Sequence, residues 1–236
     1  MSNTRRLATP DAAVRRPGRP RRDGSAMPRE TILERAFTAF ASQGYDGVTL
    51  RQLAADCGIS DSLLSHHFGN KQQLWQEAAD AVFAPLYRQL VDTLEGIEAD
   101  NVALKLRRNL KASLILLATQ PQVISFMFRE GETENARADH LRRHYVDPYT
   151  DRIHQLVDAA AAQGLIRQLS HEACTGMVFG IMRMLVMPGV YRHVLAPRLA
   201  TPESISAYVD EVVSIFYDGL MLSPDNGTAP SRETPP

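Results

Sequence analysis

An all-α fold is what this sequence predicts, and three observations predict it. Apolar residues recur at spacings of three and four almost throughout the chain. Ser, Thr and Asn stand just ahead of these periodic stretches and Gly just after them, the order of helix start and stop signals. Nowhere do alternating apolar and polar residues between turn signals mark strands. With 236 residues and 44% apolar content the chain can bury a sizeable core, so it needs no disulfide framework. Cys57 and Cys174 form neither a C-x-x-C nor a zinc-ligand pattern, which reads as a reduced, cytoplasmic protein. No apolar run reaches the roughly 18 residues of a bilayer span. The Arg-bearing start lacks the apolar stretch of a secretory signal, so the expectation is a cytoplasmic protein without a membrane partner.

The pattern divides the chain into a basic arm (1–27), a first helical domain (28–88), a second helical domain (89–221) and a polar tail (222–236). The arm holds Pro10, Pro17, Gly18, Pro20 and Gly24 without an apolar period, so disorder is expected there, as in the tail. The first helix starts near Arg29, with Ile32, Leu33, Ala36, Phe37, Phe40 and Ala41 on one face, and ends at a left-handed Gly44. Thr49, with Gln52 three residues on, has capping-box spacing. It opens a short helix whose buried side is Leu50, Leu53, Ala54 and Cys57, closed by Gly58. Ser60 caps a third helix carrying Leu63, Leu64 and Phe68. Asn70, with Gln73, caps a longer fourth helix lined by Leu74, Ala78, Val82, Phe83, Leu86, Leu90 and Leu94. The short helices joined by Cys57-Gly58-Ile59-Ser60 make a helix-turn-helix pattern over 49–68, whose second helix suits a major groove.

The second domain continues with helical spacing from Asn101 to Ala118, an apolar stretch over Gln122–Arg129 and a polar amphipathic stretch from Glu132 to Tyr145. Asp147-Pro148 suggests a fresh cap with Pro at the first helical position, and that helix runs to Gly164. Two strongly apolar helices follow, one from Ala173 to Val186 and one from Ile205 to Leu220. Gly176 and Gly180 allow close helix approach, and Val209, Val212, Val213 and Phe216 are taken to cover one side that pairs with a second copy of the chain. Phe126, Met127, His140, His144, Tyr149, Met177, Phe179 and Met182 are candidates to line an adaptable apolar pocket, with ordinary core as the alternative for each. His140 and His144 have chelating spacing but no third ligand near in sequence, so a solvated face is expected, and neither metal nor cofactor. No nucleophile elbow, phosphate loop or pair of catalytic carboxylates points to an enzyme.

The run Ala36-Phe37, Gly44-Tyr45, Val48-Thr49-Leu50-Arg51-Gln52-Leu53-Ala54, Cys57-Gly58-Ile59-Ser60, Leu64-Ser65-His66-His67-Phe68, Lys71 and Leu74 resembles the N-terminal domain of TetR-family transcriptional regulators, over about residues 28–76. The resemblance implies a three-helix DNA-binding domain followed by a helical ligand-binding and dimerisation domain. It implies a homodimeric repressor or activator on a palindromic double-stranded operator, read here as a repressor released by a small-molecule effector. It places Thr49, Arg51, Ser60, Asp61, Ser62, Leu63, Ser65, His66, His67 and Lys71 on or beside the DNA. Thr49 and Ser60 then serve phosphates at helix starts, and Lys71 takes a phosphate by family position. Asp61 can accept from cytosine N4 and Leu63 can meet a thymine methyl or stay in the core. His67 matches a DNA-contact position, His66 can instead face the first helix, and Ser65 stands where the family often carries an aromatic.

Charge supports a polyanion at the front of the chain. Residues 1–71 carry a net charge of +4 and the remainder −5. Within the arm, Arg15-Arg16-Pro17-Gly18-Arg19-Pro20-Arg21-Arg22 is similar to an AT-hook core, which would bring Arg19 into a narrow A·T minor groove. A solvated basic tail is the plainer reading. An architectural protein that covers A·T-rich DNA with its arm is the alternative to an operator-specific regulator. Deleting residues 1–26 is expected to lower DNA affinity and salt dependence while leaving half-site preference intact. With Arg19 in the minor groove the loss is larger on A·T-flanked than on G·C-flanked sites in a mobility-shift titration; equal loss on both leaves only non-specific attraction.

Overall fold

The computed structural model describes residues 27–186 and 200–220. These form ten α-helices and no strand: α1 (Arg29–Gly47), α2 (Leu50–Asp56), α3 (Asp61–Phe68), α4 (Lys71–Gly96), α5 (Val102–Ala118), α6 (Pro121–Glu130), α7 (Ala136–Leu141), α8 (Asp147–Ala162), α9 (His171–Val186) and α10 (Pro202–Leu220). The arm with Arg19, residues 187–199 and the tail lie outside the described residues.

Local chemistry accounts for the early boundaries. Gly44 has φ 75° and breaks α1 before its last turn, a conformation that costs any other L-residue. Thr49 Oγ1 accepts from Gln52 N at 3.2 Å. The reciprocal half of the expected box is not made, because the Gln52 amide donates to Asp56 Oδ1 at 2.9 Å instead. At Asn70 both halves form: Gln73 N donates to Asn70 Oδ1 at 2.9 Å and Asn70 N to Gln73 Oε1 at 3.0 Å. This box closes over Gly69, where a Cβ would stand 2.0 Å from Gln73 Oε1.

α4 runs unbroken past Arg88 to Gly96, with Pro85 inside it, so the front and rear helices share this one element. The fully buried Trp75, absent from the expected face of α4, stacks on Phe126 of α6 with ring centres 5.6 Å apart. Phe37 of α1 and Phe83 of α4 pack on the same Phe126 ring, at 4.9 and 6.0 Å. A single buried cluster therefore extends from α1 to α10, with a smaller one formed by Ala103, Val157, Ala160, Ile166 and Cys174.

Two expectations for the rear are corrected. Asp147 is no cap: it is helical, at φ −55° and ψ −48°, and Arg142–Val146 winds as one wide π turn that joins α7 directly to α8. Pro148 offers no N–H to the preceding turn, and a π bulge absorbs that missing bond without a break. The Arg142 guanidinium pairs with both Asp139 and Asp147 alongside it. On α10, Val209 and Val213 are not free to pair with a second copy of the chain. They are buried in the core, while Val212 and Phe216 are half-exposed and Ile215 is 76% exposed. Phe126 is likewise core, not pocket wall. Phe126→Ala is expected to destabilise the protein by about 3–5 kcal/mol in chemical denaturation; a loss near zero would mean that the aromatic stack is not what holds α6 to α1 and α4.

Candidate nucleic-acid interface and regulatory cavity

The packing of the front helices fixes which side chains look outward. Leu53, Ala54 and Cys57 of α2 and its turn, and Leu64 and Phe68 of α3, are buried against α1 and α4. Gly58, at φ 68°, turns the chain between them. With Leu64 and Phe68 inward at helical spacing, Asp61, Ser62, Ser65, His66 and His67 are exposed along α3, and Thr49 and Arg51 at the start of α2. Ser60 Oγ accepts from Leu63 N at 3.2 Å and lies 3.0 Å from Ser62 Oγ. Leu63 is half-buried, and His66 is exposed beside His67, with ring centres 5.7 Å apart. Burial raises the Cys57 thiol pKa against the opposing pull of Arg35, so Cys57 stays a neutral core group.

Lys71 is not a freely solvated lysine. Its Nζ lies 4.3 Å from the centre of the Tyr45 ring, and the Arg137 guanidinium lies 4.0 Å from the same centre. Arg137 Nε bonds Glu130 Oε2 at 2.8 Å, and that carboxylate is buried. Arg129 of α6 donates to the Ala41 carbonyl of α1. Thus α6 and α7 reach the end of α1 and the start of α4, a place that no local signal marks for Arg129, Glu130 or Arg137.

Behind this face α4, α5, α6, α8 and α9 enclose an apolar cavity of about 120 Å³. Of the candidate pocket residues, Met127, Tyr149, Phe179 and Met182 reach its wall; Phe126, His140, His144 and Met177 do not. Tyr145, not singled out in the sequence, lines it and donates a 2.6 Å hydrogen bond to Asp80 Oδ1 on α4. Burial first, and then Asp80, push the Tyr145 phenol pKa far above its ordinary value. His140 Nε2 meets the same Asp80 oxygen at 2.6 Å with its side chain only 13% exposed, so the solvated face expected for it is corrected. His144 is exposed, its Nδ1 2.8 Å from the His140 carbonyl. Among the described residues no three His, Cys, Asp or Glu side chains gather as metal ligands.

A second cavity of about 80 Å³ adjoins the first. On the outer side of α9 and α10, Met177, Gly180, Ile181, Met184, Val212 and Ile215 line an open apolar groove. Among the described residues no single helix is long and apolar enough to cross a membrane.

The sequence pattern of bacterial regulatory proteins of the tetR family matches residues 32–78, from α1 into α4. Residues 32–78 of this chain are thus similar to the TetR-type DNA-binding domain. The repressor AcnR of Corynebacterium diphtheriae is 28% identical over 120 residues, which is 50% of this chain and 59% of that repressor. The chain thus spans about three fifths of that relative's length. The TetR-family regulator PfmR from Thermus thermophilus shares the fold, with a TM-score of 0.62 at 18% identity, covering 83% of this chain and 98% of PfmR. The structure of AibR in complex with isovaleryl coenzyme A and operator DNA gives 0.61 at 25% identity, covering 78% of this chain and 95% of AibR. The TetR pattern ends at residue 78, so all the described residues of the cavity wall lie beyond it.

Lys71→Ala is expected to lower the salt slope of DNA binding by about one and to weaken all sequences alike. An unchanged slope at full affinity would leave Lys71 only its place on the Tyr45 ring.

Proposed function

We propose that this protein is a cytoplasmic, dimeric TetR-family repressor that binds a palindromic operator and releases it when a small molecule fills the cavity between α4 and α9. The observation that carries this reading is the outward row of α3, held by buried Leu64 and Phe68. Asp61, Ser62, Ser65, His66 and His67 read base edges or flanking phosphates, Thr49, Arg51, Ser60 and Lys71 hold the backbone, and Leu63, half-buried, closes the row. AcnR is named a repressor, and AibR was crystallised on operator DNA with isovaleryl coenzyme A. A similar division between DNA reading in front and ligand binding behind fits this chain's geometry.

The cavity and the reading head share α4. Tyr145 touches the cavity and holds Asp80, and Lys71 opens the same helix. A ligand that displaces Tyr145 alters the footing of α4 and with it the separation of two α3 helices in a dimer. The groove beside Ile215 and Met184 supplies the dimer contact, being apolar and open in a single chain.

Selection of binding sites from random duplexes is expected to return an inverted repeat with a footprint of fixed length. Broad coverage of A·T-rich DNA would overturn this and favour the architectural reading. The double variant Ile215→Glu, Met184→Glu is expected to sediment as a monomer at micromolar concentration and to lose about a hundredfold or more in operator affinity, because two half-sites no longer bind as one unit. A persistent dimer would place the interface elsewhere.

A further inference from the structure

The two rear cavities share walls. Leu110, Ser113, Tyr149, Ile153, Cys174 and Val178 line both. At this partition Ser113 Oγ lies 2.8 Å from the Tyr149 hydroxyl, and Asn109 Nδ2 donates to that hydroxyl at 3.1 Å. Each of these groups can act as donor and acceptor, so the triad can re-pair around a guest without leaving a buried atom orphaned. Three further polar groups on the first cavity's wall are committed: Tyr145 to Asp80, His154 to Thr175 at 2.7 Å, and Thr150 to the Val146 carbonyl at 3.0 Å.

The charge census of the wall is decisive. Among the described residues lining the first cavity there is no Lys, Arg, Asp or Glu. An ionised group there would lose its water and meet no permanent charge, His154 being the one wall side chain able to become a cation, which is unfavourable. A hydrocarbon body, in contrast, replaces empty space against Leu86, Leu114, Ile124 and Met182. Burial also keeps the phenol of Tyr149 in its neutral form, against the opposing hydrogen bonds from Ser113 and Asn109. Arg107 borders the second cavity only, and its guanidinium lies 5.1 Å over the Tyr217 ring.

We infer that the effector is an electrically neutral, mostly hydrocarbon molecule with one hydroxyl or carbonyl oxygen, seated across both cavities with that oxygen on Tyr149 and Ser113. This rests on the ligand-release reading for the cavity and adds the ligand's chemical class. The rival is an anion whose carboxylate reaches Arg107.

The test titrates the full chain, without DNA, with octanol, chlorooctane, octanoate and octylammonium, followed by calorimetry and melting midpoint. Octanol is expected to bind at least about tenfold more tightly than either ion. Chlorooctane, which lacks the oxygen and leaves water more readily, sets the apolar reference. Tyr149→Phe, checked for fold by circular dichroism, is expected to lower the octanol-to-chlorooctane affinity ratio about three- to tenfold and leave chlorooctane binding unchanged; Ser113→Ala serves as the second variant should the first not fold. Octanoate equal to or tighter than octanol overturns neutrality. An octanol-to-chlorooctane ratio that Tyr149→Phe leaves unchanged overturns the oxygen's place, and binding of none of the four overturns the class. A separate operator-release assay distinguishes the two readings: octanol that binds as stated but leaves the DNA complex intact removes the release reading and upholds the ligand class.

Discussion

The face-to-face packing of Trp75 on Phe126, flanked by Phe37 and Phe83, joins α1, α4 and α6 into one core. Without it the reading head would be a three-helix unit held to the rest by α4 and the polar contacts of Arg129 and Arg137. Burying large aromatic rings in the middle of a helix junction does two things at once. It removes much apolar surface from water, and it fixes the angle at which α4 leaves the DNA-binding helices. Everything behind inherits that angle, including the cavity walls supplied by Phe83, Leu86 and Leu90 of the same helix.

Charged groups refine what the rings establish. Asp80 receives two partners from the rear, Tyr145 and His140, and its position one turn after Trp75 keeps them beside the aromatic core. Glu130 is buried and would be costly there alone, but Arg137 compensates it and extends the pair onto the Tyr45 ring beside Lys71. These links are few and specific. They tie the end of α7 and the π turn to two points of α4, so a shift of that turn is felt at both.

The sequence made the front legible because its signals are local. Thr49, Ser60 and Asn70 each cap within three residues, and Gly44 and Gly58 adopt positive φ next to the helices they end. Even there the Gln52 side chain donates its amide to Asp56, one turn on, and does not accept from the Thr49 N–H. The rear was less legible because its decisive contacts are distant in sequence. Nothing local tells Val213 from Val212; α5 chooses which one it covers. His140 finds Asp80 60 positions away, and Phe126 finds Trp75 across a similar gap. A list of Met and aromatic side chains identified half the cavity wall it named, Met127, Tyr149, Phe179 and Met182, and missed Tyr145 because a tyrosine's polar partner is invisible without the fold.

Trp75 is the one tryptophan in the chain. It is fully buried at the seam between the reading head and the rear, with His140 edge-on at 6.2 Å and Arg137 at 6.0 Å from its ring. Indole emission responds to nearby charge and to water, so this single residue makes the protein its own optical gauge. Light from one known position, free of other indoles, follows the seam directly as α4, α6 and α7 move against one another, with no label attached.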